Sequence, residues 1–221
     1  MNLSTLRSTL RPGVMAALVL LSAGSVTASS VQYLVTLNTS SQDSTPGFLD
    51  FQLFPGDPSS QNLMAQITNF NVGGGALVNP NSPQLSGDAG GTLSATMTLD
   101  NGTARNEFFQ PLNYGAFVSF VLSLAGPALD SPNGTATSGS QFGVGLYDGG
   151  QNPILTSDMV NGFAGQVSVN LDGSTTPQSF PTATNGPSVI TFQELPEPGT
   201  IFLLGLGSLG LTVLRLRRKR R

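Results

Sequence analysis

Short stretches in which apolar and polar residues alternate dominate the middle of this sequence and most constrain its fold. Residues 31–37 and 92–99 are apolar at every second position, a pattern typical of a strand with one buried face. Residues 116–124 are almost continuously apolar, which predicts a central strand buried on both faces. The other predicted strands lie at residues 48–54, 63–72, 142–146, 167–171 and 189–192.

Turn-forming residues separate these stretches. Asn101-Gly102 and Asp172-Gly173 supply the positive φ angles that tight turns need. About eight short strands with turns between them predict an all-β domain, an antiparallel β-sandwich or jelly roll, with a barrel as the alternative. A change in the phase of alternation predicts a bulge near Thr68-Asn69, and residues 103–112 are the one candidate for a short helix.

An uncharged apolar run at residues 201–214 precedes a strongly basic end. As a helix it would span roughly 21 Å, against about 30 Å of bilayer hydrocarbon, so we expect a short transmembrane helix. A buried core helix is the alternative, but such a helix is rarely apolar all round and followed by basic residues. The basic cluster that would hold the cytoplasmic side consists of Arg215, Arg217, Arg218, Lys219, Arg220 and Arg221.

Pro196, Glu197 and Pro198 stand directly before this apolar run. The three residues, the apolar run and the basic end resemble the PEP-CTERM sorting signal. The resemblance implies recognition by exosortase, a membrane-embedded enzyme, in a Gram-negative bacterium that makes extracellular polysaccharide. Residues 48–52, 124–130 and 143–148 resemble an uncharacterised ectodomain family joined to PEP-CTERM signals, and this second resemblance implies no known activity.

The first 28 residues have the features of a secretory signal peptide. Arg7 and Arg11 precede an apolar stretch at residues 14–23, and Val26 and Ala28 are small residues at the −3 and −1 positions of a cleavage site. We therefore expect export through the Sec machinery and cleavage by signal peptidase before Ser29, with a lone N-terminal anchor as the alternative.

These features predict five segments. They are a signal peptide (1–28), a β-sandwich ectodomain (29–192), a proline-rich stalk with the sorting motif (193–200), a transmembrane helix (201–214) and a basic cytoplasmic tail (215–221). The expected location is an inner-membrane-anchored precursor and then the cell surface or extracellular matrix.

The charge of the exported part excludes several functions. Between residues 29 and 195, Arg105 is the only basic residue against eleven acidic ones, which gives a net charge of −10. Nucleic-acid binding is therefore not expected, because phosphate contacts need Lys and Arg. The sequence has no cysteine or histidine, so neither disulfides nor histidine-based catalysis and metal sites are expected.

Acidic and aromatic residues are the remaining candidates for chemistry. Glycoside hydrolysis needs two nearby carboxylates, and the sequence alone pairs none of Asp50, Glu107, Asp130 and Asp148. Calcium ligands are conceivable in the turns at residues 100–102, 148–152 and 172–173, although turn chemistry alone explains them. Tyr33, Tyr114 and Tyr147 are candidates for stacking on sugar rings.

The sequence thus favours a non-enzymatic cell-surface or matrix protein, with no cofactor or metal and a structural or adhesive role associated with exopolysaccharide. The alternatives are a carbohydrate-binding module and a glycan-active enzyme with an acid pair.

The signal-peptide interpretation predicts a mature chain that begins at or near Ser29. N-terminal sequencing of the protein from its native host is the direct measurement. A sequence that starts at Met1 would contradict the prediction.

Overall fold

The structure, a computed structural model, describes residues 30–196, which form two antiparallel sheets packed face to face. The strands in chain order are β1 (Val31–Asn38), β2 (Pro46–Phe54), β3 (Met64–Asn71), β4 (Ala76–Leu77), β5 (Gln84–Ser86), β6 (Ala89–Gly91), β7 (Met97–Asp100), β8 (Asn106–Asn113), β9 (Phe117–Ala125), β10 (Ser140–Asp148), β11 (Phe163–Val169), β12 (Thr175–Ser179) and β13 (Ile190–Leu195). Helical structure in this part of the chain is one short helix, α1 (Pro127–Asp130), and a 3₁₀ turn at Ser40–Gln42.

The first sheet has the strand order β13-β1-β9-β3-β7-β6, and the second has the order β12-β11-β10-β2-β8-β4, with β5 also paired to β8. Every pairing is antiparallel. The sheets are separate and each has edge strands, whereas a closed barrel has none. The predicted antiparallel sandwich is therefore confirmed, and the alternative of a barrel is wrong.

Aromatic rings on the inner faces join the two sheets. The ring of Phe51 on β2 lies perpendicular to that of Phe120 on β9, with 5.2 Å between their centroids. Phe51 also stacks on Phe142 of β10 at 6.2 Å. Since all three side chains are fully buried, they form the centre of the core.

The predicted bulge is present in β3. The register between β3 and β9 shifts between Thr68 and Asn71, and Asn69 has a φ of 53°. The extra residue turns the chain so that apolar positions continue with the opposite phase, as the sequence pattern indicated.

The predicted short helix at residues 103–112 is wrong, because this segment contains strand β8. Along β8 the buried side chains alternate: Phe108 faces the core, whereas Phe109 lies half-buried on the outer face. Pro111 disfavours a helix interior, since it lacks an amide donor. The two adjacent phenylalanines therefore indicate a strand buried on one face and partly covered on the other.

Strand β9 is central in its sheet, but the prediction that both its faces are buried is wrong. Phe117 is 39 % exposed, and Ser119 and Val121 are half-buried, all on the outer face. The strand predicted at residues 92–99 is also shorter, since β7 begins at Met97 and Ala95 lies exposed in the preceding turn.

Several short edge strands carry too few residues to show a pattern. They are β4, β5, β6 and β12. Strand β12 overlaps residues 177–187, whose Pro, Thr, Ser and Asn content predicts a loop from the sequence. At the other end of the domain, β13 continues to Leu195, three residues beyond the predicted domain limit.

The predicted signal peptide at 1–28 and the transmembrane helix at 201–214 lie outside the described residues. Within residues 30–196, no helix has the length and apolar character needed to cross a membrane.

The packing predicts a large difference between two phenylalanines of the same strand. Phe120→Ala is expected to lower the free energy of unfolding by about 3–5 kcal/mol, because it leaves a cavity between the sheets. Phe117→Ala is the matched control and is expected to cost about 1 kcal/mol or less, since Phe117 is 39 % exposed. Urea denaturation measures both, and equal losses would contradict the described core.

Candidate functional site

Strand β13 connects the sandwich to the predicted sorting motif. It is an edge strand that pairs with β1, with Ile190 opposite Leu37 and Leu195 opposite Gln32. Because Gln32 lies near the start of β1, the chain enters and leaves the sandwich at the same end of the first sheet.

Pro196 follows β13 and is exposed. Proline has no backbone N–H, so it cannot extend the hydrogen-bond ladder with β1. The sheet pairing thus stops where the motif's first proline begins. Other predicted site residues lie outside the described part of the chain, namely Glu197 and Pro198 of the motif, the basic cluster, and Val26, Ala28 and Ser29 of the cleavage site.

The outer face of the second sheet brings together two of the four candidate acids. Asp50 lies on β2 and Glu107 on β8, and the Gln52 amide between them donates to both carboxylates. The Nε2–Oε1 distance from Gln52 to Glu107 is 3.2 Å, and Arg105 forms an ion pair with Glu107. The sequence placed Asp50 and Gln52 on one polar strand face, but only the β2–β8 register brings Glu107 beside them.

Asp50 is the most unusual of these side chains. It is 1 % exposed, and its Oδ1 has no hydrogen-bond partner within residues 30–196. Burial raises the pKa of Asp50 to about 7; the hydrogen bond from Gln52 opposes this shift and the charge of Glu107 adds to it. Asp50 is therefore largely protonated in mildly acidic solution.

Aromatic rings flank this acid pair on the same face. Phe109 stacks on Phe48 at 4.7 Å and meets Tyr147 edge-on at 5.7 Å. Burial, and secondarily the charges of Asp50 and Glu107, raise the pKa of Tyr147 to about 12. Asp50 and Glu107 supply two neighbouring carboxyls, as a glycosidase requires. However, Asp50, the acid with the raised pKa, is enclosed by protein.

The other two candidate acids do not join the pair. Asp130 is exposed in α1. The Oδ1 of Asp148 accepts hydrogen bonds from the backbone N–H groups of Gly150 and Asn152, so this carboxylate stabilises its own turn.

The three turns considered for calcium likewise use their polar groups internally. Asn101 Oδ1 accepts from the Leu63 N–H at 2.9 Å, and the Asp172 carboxylate accepts from Ser174. Within the described residues, no three His, Cys, Asp or Glu side chains form a group suited to a metal. A groove of about 500 Å³ is lined by two carboxylates, those of Asp88 and Asp100.

Two of the three tyrosines considered as candidates for stacking on sugar rings are buried. Tyr33 and Tyr114 are 2 % and 0 % exposed and lie in the core. The Tyr33 hydroxyl lies 2.7 Å from Thr175 Oγ1, and the Tyr114 hydroxyl donates to the Phe48 carbonyl at 2.7 Å. Tyr147 is half-buried, and its hydroxyl donates to the Asn161 carbonyl at 3.0 Å.

Sequence reasoning missed three glutamines that share the outer face of the second sheet. They are Gln141 on β10, Gln166 on β11 and Gln178 on β12. Gln141 adjoins the alternating residues 142–146, so its outward position was available from the pattern. Gln178 was not, because β12 is a short edge strand within a segment that the sequence indicated as a loop.

The buried carboxyl predicts a specific pH dependence of stability. An unfolded aspartate has a pKa of about 3.9, whereas the pKa of Asp50 in the folded protein is about 7. The folded state binds this proton more tightly than the unfolded state. Protonated Asp50 therefore adds to the free energy of unfolding in full below about pH 4, and this stabilisation is lost as the pH rises through 7. Asp50→Asn should remove this loss, which is roughly 4 kcal/mol at most.

Urea denaturation of parent and variant at pH 4 and pH 8 gives the difference. Asp43→Asn, which changes an exposed carboxyl, is the control and is expected to follow the parent. If Asp50→Asn loses as much stability between the two pH values as the parent does, the assignment of the proton to Asp50 is wrong.

The comparison with protein families bears on the end of the chain. Residues 194–219 match the model of the PEP-CTERM protein-sorting motif, which confirms the resemblance seen in the sequence. No curated protein and no solved structure matches the chain. The motif implies export, a membrane-anchored precursor and processing by exosortase, a membrane-associated partner. The chain is therefore a PEP-CTERM sorting domain-containing protein with an all-β body.

Proposed function

We propose that this protein is a non-enzymatic component of the cell surface or extracellular matrix, delivered by its C-terminal sorting motif. The observation that carries the proposal is the overlap between fold and motif: the matched residues begin at Glu194, inside β13, which ends at Leu195. The folded domain and the sorting signal are thus contiguous in the chain. This is the arrangement expected if the signal delivers the folded domain.

The spacing along the chain supports processing close to the membrane. Five residues lie between Leu195 and Ile201, the first residue of the apolar run, and the six steps from Leu195 to Ile201 span roughly 20 Å when fully extended. With the basic cluster on the cytoplasmic side, the motif would lie at the outer membrane–water boundary. Two prolines would keep it free of internal hydrogen bonds and open to a processing enzyme.

The state of the acid pair favours a non-enzymatic role. A glycosidase must bring a sugar to both carboxyls, one as acid and the other as base or nucleophile. Asp50 is 1 % exposed, and the Gln52 amide occupies the space between it and Glu107. A substrate would have to displace Gln52 and open the surrounding aromatic contacts.

The composition of the body supports a structural or adhesive role beside exopolysaccharide. Its exposed residues include many Ser, Thr, Gln and Asn side chains, and the net charge of residues 29–195 is −10. Such a surface stays soluble and resists self-association, while its hydroxyl and amide groups can hydrogen-bond to a hydrated polymer.

Sorting is expected to depend on the motif and on the basic end. Glu197→Ala, and separately deletion of residues 217–221, should leave an unprocessed precursor in the membrane fraction. Immunoblotting of membrane, surface and culture fractions follows the size and location of the protein.

Asp43→Ala is the control, because Asp43 is an exposed acidic residue of the folded body and lies outside the matched residues 194–219. It should mature as the parent does. If both the Glu197→Ala and the truncated proteins mature and leave the membrane normally, the sorting proposal is wrong.

A further inference from the structure

A polar groove lies on the outer face of the second sheet, over strands β10, β11 and β12. Its volume is about 500 Å³, within the roughly 300–1,000 Å³ usual for small-ligand sites. Gln141, Gln166 and Gln178 form its floor, from the neighbouring strands β10, β11 and β12. Phe180 and the loop that contains Ser157, Asp158 and Asn161 form its walls.

The floor offers amide groups with unused hydrogen-bonding capacity. Gln166 lies directly opposite Gln178, and its Nε2 donates to the Gln178 Oε1 at 3.0 Å. This bond leaves the carbonyl of Gln166 and the amino group of Gln178 available. Within residues 30–196, the amide of Gln141 forms no hydrogen bond. Each glutamine presents both a donor and an acceptor, which suits hydroxyl groups that are themselves both.

The loop wall is held in place by its own hydrogen bonds. The Asp158 carboxylate accepts from the Asn161 N–H at 3.1 Å, and the Ser157 N–H donates to the Pro181 carbonyl at 2.7 Å. The Tyr147 hydroxyl holds the Asn161 carbonyl at 3.0 Å. A wall fixed before binding lowers the ordering cost of taking up a ligand.

Apolar surface stands beside these polar groups. At the tip of the loop Met159 is 56 % and Val160 is 92 % exposed, and Phe180 is half-buried at the groove. Large exposed apolar side chains next to a polar groove are common at binding sites. The C–H faces of a sugar ring pack on such surface while its hydroxyls bond to amides.

We propose that this groove binds a neutral polysaccharide chain. The charges decide against an anionic one: the groove contains the carboxylate of Asp158 and no basic residue. Arg105, the only basic residue of the described part, is paired with Glu107 on β8. A uronate or sulfate group would therefore lose its hydration without gaining a cation.

The inference rests on the proposed adhesive function and names its ligand class and site. Full-length protein purified in detergent is tested by affinity electrophoresis in gels containing dextran, mannan or mixed-linkage β-glucan, with alginate as the anionic polymer. The groove variant is Gln166→Ala with Gln178→Ala. Gln193→Ala is the control, since Gln193 is an exposed glutamine on β13 of the other sheet.

The parent and Gln193→Ala are expected to bind at least one neutral polymer, and the groove variant to bind it at least tenfold more weakly with an unchanged urea midpoint. Binding to none of the neutral polymers, binding to alginate alone, or equal binding by the groove variant would overturn the proposal. Fractionation of the parent protein in cells separates the two proposals. A parent protein that matures normally but binds no neutral polymer refutes the groove proposal alone, whereas failure of the sorting proposal shows in the Glu197→Ala protein.

Discussion

The contact between Phe51 and Phe120 joins the inner faces of the two sheets, and the rest of the structure depends on this packing. The chain has no cysteine, so no disulfide holds the sheets together. The sandwich must therefore be stabilised by buried apolar surface, which the alternating strands supply from both sides. Because the inward positions are committed to the core, functional groups can lie only on the outer faces, at the edges and at the strand ends.

Strand β13, where the chain leaves the sandwich, connects the packing of the two sheets to the sorting motif. A side chain at Gly165 of β11 would approach Ile190 Cγ2 to 2.7 Å and the Phe192 ring to 2.9 Å. The absence of a side chain at this position lets β13 lie against the second sheet while it pairs with β1. A larger residue at Gly165 would push β13 outward, and with it the beginning of the motif at Glu194.

The sequence predicted the features that depend on local pattern. Alternation located β1, β2, β10 and the bulge in β3, because period two reports directly which side chains face the core. It failed for β8, because residues 103–112 were the one candidate for a short helix, and for the outer face of β9, where apolar residues remain half-exposed. The Asp50–Gln52–Glu107 cluster needed the β2–β8 register, which joins residues more than 50 positions apart and leaves no trace in local periodicity. The sorting motif was recognisable because all its parts are contiguous in the chain.

The geometry of the sandwich separates attachment from binding. Gln32 and Leu195 lie opposite each other at one end of the first sheet, so a body held through Leu195 is attached by a strand end. The polar groove of Gln141, Gln166 and Gln178 opens instead on the outer face of the second sheet. Attachment through Leu195 would therefore leave that face free for the proposed polymer. An attachment site on the same face would compete with the ligand, whereas this arrangement allows both to be occupied together.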